Sequence, residues 1–176
     1  KEKIERFLKL GRQIRVICAV DSIIGAKMIS DLAVLHGQTA EVRLELDTGF
    51  GRAGIPMENL LDMAKEICQM PGLDVSGIFT FKSCTLNGQS TLDLQAAGEE
   101  EGAMLNKAAE LLRANGINIR EVSGGSTPTG KYVAACKGVT EFRAGTYIFQ
   151  DASKIQQNVV SEDECCAVVK VTVVST

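Results

Sequence analysis

The sequence predicts an α/β fold built on a parallel sheet, and three observations predict it. Apolar strand-like runs alternate with helix-like runs along almost the whole chain. Glycine-rich and hydroxyl-rich clusters fall where the strand-like runs end, which is the ligand face of parallel α/β folds. No low-complexity segment or linker breaks the alternation.

The elements follow in order. Residues 1–10 form a charged amphipathic helix without the apolar core of a signal peptide. Ile14 to Val20 is a continuous apolar strand. Ser22 to His36 is a helix, with Ala26, Ile29 and Ala33 at helical spacing and Gly37 as its stop. Glu41 to Leu46 is a strand that ends at Asp47-Thr48-Gly49. Pro56 opens a helix whose apolar stripe is Leu60, Leu61, Ala64, Ile67 and Cys68, and Pro71-Gly72 follows it. Leu73 to Phe81 is the next strand. Thr91 to Ala114 is a long helix with Met104, Ala108, Leu111 and Leu112 on one face and a stop at Gly116. Asn118 to Val122 is a strand, Lys131 to Cys136 a short helix, and Thr140 to Phe149 a further strand. Ala152 to Asp163 is a polar connector, and Glu164 to Ser175 reads as a separate strand. Right-handed crossovers leave two architectures open, a doubly wound sheet or part of a (β/α) barrel.

Composition excludes several classes. The 176 residues suffice for one domain with a core, and 45% hydrophobic with 23% charged residues is an ordinary soluble balance. A net charge of −3 gives no electrostatic case for nucleic acid, and no apolar run reaches membrane-spanning length. The six cysteines show no C-x-x-C spacing and there is one histidine, His36, so no zinc site is expected. Reduced buried thiols in a cytoplasmic protein are the plain reading.

Three strand-end clusters carry the chemistry. In Ser123-Gly124-Gly125-Ser126-Thr127-Pro128-Thr129-Gly130, two glycines permit a sharp turn and close approach to a ligand. Thr127 suits a helix cap and Pro128 its first turn, and the exposed N–H groups favour phosphate. Gly125 to Lys131 also fits G-x-x-x-x-G-K, but Tyr132 stands where a P-loop needs Ser or Thr for magnesium, and Pro128 removes an N–H. In Asp47-Thr48-Gly49-Phe50-Gly51-Arg52-Ala53-Gly54, Arg52 can hold a carboxylate, a phosphate or a ring nitrogen. In Glu141-Phe142-Arg143-Ala144-Gly145-Thr146-Tyr147, Gly145 and Thr146 can present N–H groups to phosphate, and Arg143 should face the same interior side. Lys82, Ser83 and Cys84 also follow a strand, but no histidine stands near to activate them, so they read as loop residues.

Taken together, DTGFGRAG, GIFTF, SGGSTPT and TEFRAGTYIF resemble the pyridoxal-phosphate enzymes of the alanine racemase N-terminal fold. Their D-threonine aldolase and D-serine dehydratase branch is the nearest. The resemblance spans roughly residue 14 to 176 and implies an amino-acid aldolase, dehydratase or racemase with pyridoxal 5′-phosphate as cofactor. It implies a partial (β/α)8 TIM-type barrel, strands four to eight, over 1–151. A connector over 152–163 and the first strand of a C-terminal β domain over 164–176 would follow. Gly124, Gly125, Ser126 and Thr127 match the phosphate turn, and Gly145, Thr146 and Tyr147 the second phosphate loop. Arg52 and Arg143 match arginines that reach the cofactor, one of them facing the pyridine nitrogen. No lysine here matches the cofactor lysine, which belongs to strand one, so the chain alone is expected to be inactive. Any divalent metal would belong to the C-terminal domain. The partner is a small amino-acid substrate, and a homodimer is allowed for the full-length protein. A P-loop-like nucleotide-binding protein and a non-catalytic pyridoxal-phosphate carrier are the alternatives.

Overall fold

The computed structural model describes residues 1–175. Its strands are β1 (Cys18–Val20), β2 (Ala40–Asp47), β3 (Ile55–Pro56), β4 (Leu73–Thr80), β5 (Thr85–Leu86), β6 (Gln89–Ser90), β7 (Glu121–Gly124) and β8 (Glu141–Phe142). The α-helices are α1 (Glu2–Gly11), α2 (Ile23–Leu35), α3 (Leu60–Cys68), α4 (Leu94–Ala114), α5 (Gly130–Ala135) and α6 (Ala152–Gln156). The main sheet runs β1-β2-β4-β7-β8, every pair parallel, with β3 appended to β2. Strands thus add in chain order on one side, without the reversal that defines a doubly wound sheet. The arrangement is that of consecutive βα units of a (β/α) barrel.

Alternation within each strand decides which face is which. In β2, Val42, Leu44 and Leu46 are buried and join Ile78 of β4 and Val122 of β7 in the core against the helices. From the helices come Ala26, Ile29 and Ala33 of α2, and Leu60, Ala64 and Ile67 of α3. α4 adds Leu105, Ala108 and Leu112. Helix starts are fixed locally: Ser22 caps α2 by accepting from Gly25 N, and Asp93 caps α4 by accepting from Ala96 N. α4 and α5 approach closely through Gly98 and Gly102. A Cβ at Gly102 would lie 2.3 Å from Cys136 Sγ, so this contact requires glycine.

Several expected boundaries move. The first strand shrinks from Ile14–Val20 to Cys18–Val20, and the last sheet strand from Thr140–Phe149 to Glu141–Phe142. Both lie at sheet edges, where one neighbour supplies all the ladder hydrogen bonds. A 3-10 turn over Thr146–Ile148 takes the place of the rest of that strand. The strand before the glycine turn lies at Glu121–Gly124 rather than Asn118–Val122. Leu111 of α4 and Cys68 of α3 are exposed, outside the buried stripes expected to include them. The connector is not featureless: α6 lies in it, and Ser161 with Glu164 forms a capping box. The expected strand over Glu164–Ser175 does not form. Residues 165–175 have no strand neighbour, and Val168, Val169, Val171, Val173 and Val174 are exposed. Thr176, the last residue of the C-terminal β domain start expected over 164–176, lies outside the described residues. No helix among the described residues is long and apolar enough to cross a membrane.

Candidate functional site

The three clusters lie beyond the C-terminal ends of β2, β7 and β8. After β7 the chain turns at Gly125, whose φ of 85° lies in the left-handed region that favours glycine. Ser126 and Thr129 then close the turn on itself. Their hydroxyls are 2.8 Å apart, and Gly130 N donates to Ser126 O at 2.8 Å. α5 begins only at Gly130, with Thr129 at its N-cap position. The expected cap at Thr127 is therefore two residues early, and Thr127 and Pro128 belong to the turn. α5 has six residues, so its dipole adds little, and any anion must be held by the loop N–H groups themselves.

Thr127 makes a different connection. Its Oγ1 accepts from Tyr147 N at 3.1 Å, which ties the glycine turn to the loop after β8. The two expected phosphate motifs are thereby brought together. Among the described residues, the N–H groups of Thr127, Gly145 and Thr146 donate to no protein acceptor. Gly125 N behaves otherwise: it donates to Glu101 Oε1 at 2.8 Å, on the helix side of the turn.

Both arginines lie on aromatic rings at the end of β4. Arg143 sits 4.4 Å from the centroid of Phe79 and donates to Thr80 O at 2.7 Å. Arg52 sits 4.7 Å from the centroid of Phe81 and 5.4 Å from that of Phe50. Phe79, near the C-terminal end of β4, and Phe81, just beyond it, thus bring both guanidinium groups to that end of the strand. The loop carrying Arg52 is shaped by Asp47, whose Oδ1 accepts from Gly49 N at 2.9 Å and Gly51 N at 3.1 Å. Arg52 itself makes no hydrogen bond to the glycine turn, and Tyr147 contributes its backbone N–H rather than its exposed ring.

Sequence reasoning missed the buried charges Arg43, Lys82, Glu101 and Lys154, of which Glu101 and Lys82 border the glycine turn and the end of β4. Glu101 of α4 is 0% exposed, and burial pushes its carboxyl above the usual range, against the pull of Gly125 N. Lys82 is also buried, and burial draws its ammonium below the ordinary lysine value. It pairs with Glu100, whose carboxylate also accepts from Asn87 N. Its pairing with Glu100 turns Lys82 toward α4. Glu101 was reachable: Ala97, Glu101, Leu105, Ala108 and Leu112 fall on one helical stripe.

Comparison with known proteins bears on the family and the fold. The family model described as alanine racemase, N-terminal domain, matches residues 3–153. D-threo-3-hydroxyaspartate dehydratase from Delftia sp. (strain HT23) is 33% identical over 157 residues, covering 88% of this chain and 41% of the relative. Its solved structure superposes with a TM-score of 0.83 over 94% of this chain and 44% of that one. A D-threonine aldolase from Arthrobacter sp. is 26% identical over 81% of this chain and 38% of its own length. An alanine racemase-like protein from Idiomarina loihiensis, 26% identical, gives a TM-score of 0.80 over 94% of this chain and 44% of that one. The chain thus spans about two-fifths of the length of the curated relatives it matches.

Proposed function

Because the chain belongs to the alanine racemase N-terminal domain family, we propose that its strand ends grip pyridoxal 5′-phosphate in an enzyme acting on small amino acids. The observation that carries this reading is the Thr127–Tyr147 hydrogen bond, which joins two loops that leave the N–H groups of Thr127, Gly145 and Thr146 without a protein acceptor among the described residues. In this reading the N–H groups of Thr127, Gly145 and Thr146, with the hydroxyls of Ser126 and Thr127, receive the phosphate oxygens. Gly124 and Gly125 shape the turn. Arg143 and Arg52 lie on the ring side, and a permanent cation facing the pyridine nitrogen favours its unprotonated form.

When bound, the cofactor supplies an electron sink for a carbanion at the amino-acid α-carbon. This chain's own part is to hold the phosphate and orient the ring. The names of the relatives support a D-amino acid bearing a 3-hydroxyl as substrate, cleaved or dehydrated. No lysine here is assigned to hold the cofactor covalently. Lys82 is buried at a strand end, but it faces α4 and pairs with Glu100. The reading carries with it a cytoplasmic enzyme whose covalent centre lies outside these residues.

Amide NMR shifts on addition of inorganic phosphate and then pyridoxal 5′-phosphate test this reading, since they register weak binding. Shifts are expected at Thr127, Gly145 and Thr146. Shifts elsewhere only, or a response to magnesium-ATP and none to pyridoxal 5′-phosphate, would overturn it in favour of a nucleotide site. Borohydride treatment with the cofactor, followed by peptide mapping, should modify none of the strand-end lysines. A labelled Lys82 would place the covalent centre inside this chain.

A further inference from the structure

A fully buried carboxylate on a helix core stripe is costly unless something demands it. Glu101 occupies such a place, between Ala97 and Leu105 on the buried face of α4. Its Oε1 accepts from Gly125 N at 2.8 Å, while its Oε2 has no partner among the described residues. The neighbouring backbone is fitted to this carboxylate. A Cβ on Gly124 would lie 3.2 Å from Glu101 Oε1 and 2.5 Å from Leu105 Cδ1, so any larger residue here would push the Glu101 and Leu105 side chains aside. The space a Cβ on Gly102, one residue on, would need is held by Cys136 at the C-terminal cap of α5, so the helix carrying Glu101 lies close against the helix that follows the turn.

We propose that Glu101 is the positioning residue of the anion site: by taking the Gly125 N–H from beneath, it fixes the turn so that the Thr127 N–H is left to meet the N–H groups of Gly145 and Thr146. The inference rests on the anion-binding reading above and deepens it. It removes Gly125 from the set of phosphate donors, although that residue lies in the motif that suggested phosphate. It also explains why α4 carries an acid where Leu or Ala would pack better. Burial pushes the Glu101 carboxyl up, and the Gly125 N–H, Lys82 and Arg143 pull it back toward the charged form. An ordinary packing residue would be replaceable by an apolar side chain of similar size. A positioning residue is replaceable only by one that keeps the acceptor.

Glu101→Gln keeps a carbonyl oxygen for Gly125 N, and Glu101→Met keeps the volume without it. Inorganic phosphate is titrated against the wild type and both variants, with the amide shifts of Thr127, Gly145 and Thr146 as readout. Glu101→Met is expected to weaken phosphate binding about tenfold, the loss of one oriented hydrogen bond, with Glu101→Gln within about threefold of wild type. A folded Glu101→Met that binds phosphate as the wild type does would overturn the proposal and leave the functional reading intact. A wild type that gives no phosphate response would overturn the functional reading, and this inference with it. Should Glu101→Met fail to fold, hydrogen exchange at Gly125 in the phosphate-free wild type decides. A protected amide that does not shift on phosphate addition supports the assignment, and a freely exchanging one, or one shifted as strongly as Thr127, overturns it.

Discussion

On the helix side of the sheet, Val42, Leu44, Ile78 and Val122 are fully buried among apolar helix residues. On the other side, the same strands carry Arg43, Glu45, Phe79, Ser123 and Glu141. There Arg43 reaches from β2 to Glu141 of β8 across the intervening strands, and Arg143 lies on Phe79. Three buried polar atoms on this side, Arg43 Nε, Glu121 Oε2 and Ser123 Oγ, have no partner among the described residues. One residue of register separates the two chemistries. The helix side is specified by burial, and Glu101 and Lys82 are fully buried charges that border the site. The opposite side is specified by pairing and orients cations, which is what a ligand face requires.

The comparison breaks most readily on the helix side. Leu44→Ala removes a fully buried side chain from the strand that pairs on both edges, and should cost about 2–5 kcal/mol in urea unfolding. Below its transition, the phosphate response at Thr127 should persist. A large change in that response with little change in stability would mean that the two faces are not separable.

Arg43→Met tests the other face. It strips Glu141 of its bidentate partner, but the Glu141 side chain is 38% exposed and water can replace part of the interaction. The expected cost is about 1–2 kcal/mol, partly recovered by adding Glu141→Gln. A loss equal to that of Leu44→Ala would make the charged face as much a part of the core as the apolar one. Thr127→Val, smaller again, should cost about 0.5–1 kcal/mol by freeing Tyr147 N. It should also weaken the phosphate shifts at Gly145 and Thr146, because the loop after β8 loses its tie to the turn.

The helix side was largely legible, and the physical reason is periodicity. Val42, Leu44 and Leu46 alternate with charged residues, and Ala26, Ile29 and Ala33 recur at helical spacing. Edge strands were overestimated because propensity does not register how many neighbours a strand has, as Ile14–Ile17 and the residues after Phe142 illustrate. At the site, local backbone demands were visible: Gly124, Gly125 and Gly145 marked the turns. What no local pattern contains is the destination of each donor. That Gly125 N turns to Glu101, and that Arg143 and Arg52 stack on Phe79 and Phe81, depends on residues brought together from distant parts of the chain.

The smallest expected effect lies at the opposite end of the strands and sharpens the comparison by pH. Glu41 of β2 accepts from Arg15, and this hydrogen bond holds its carboxyl at about 2 against an ordinary 4.5. Glu141 is drawn down in the same direction, chiefly by Arg43. A carboxyl held low in the fold contributes stability that is complete above its unfolded value. That stability is lost as pH falls through the folded value. The window for Glu41 therefore runs from about pH 4.5 down to about 2. Arg15 is largely exposed, so solvent screens the pair and the effect is modest. Urea midpoints of Glu41→Gln should lie slightly below the wild type above pH 6, and the gap should close as pH falls through that window, so that the variant's acid limb is the flatter one. Glu141→Gln should flatten the same limb, since its carboxyl is also titrated below its ordinary value. If neither variant changes the acid limb, the ion pairs of the charged face arrange the strands without stabilising them, and the helix side alone carries the fold.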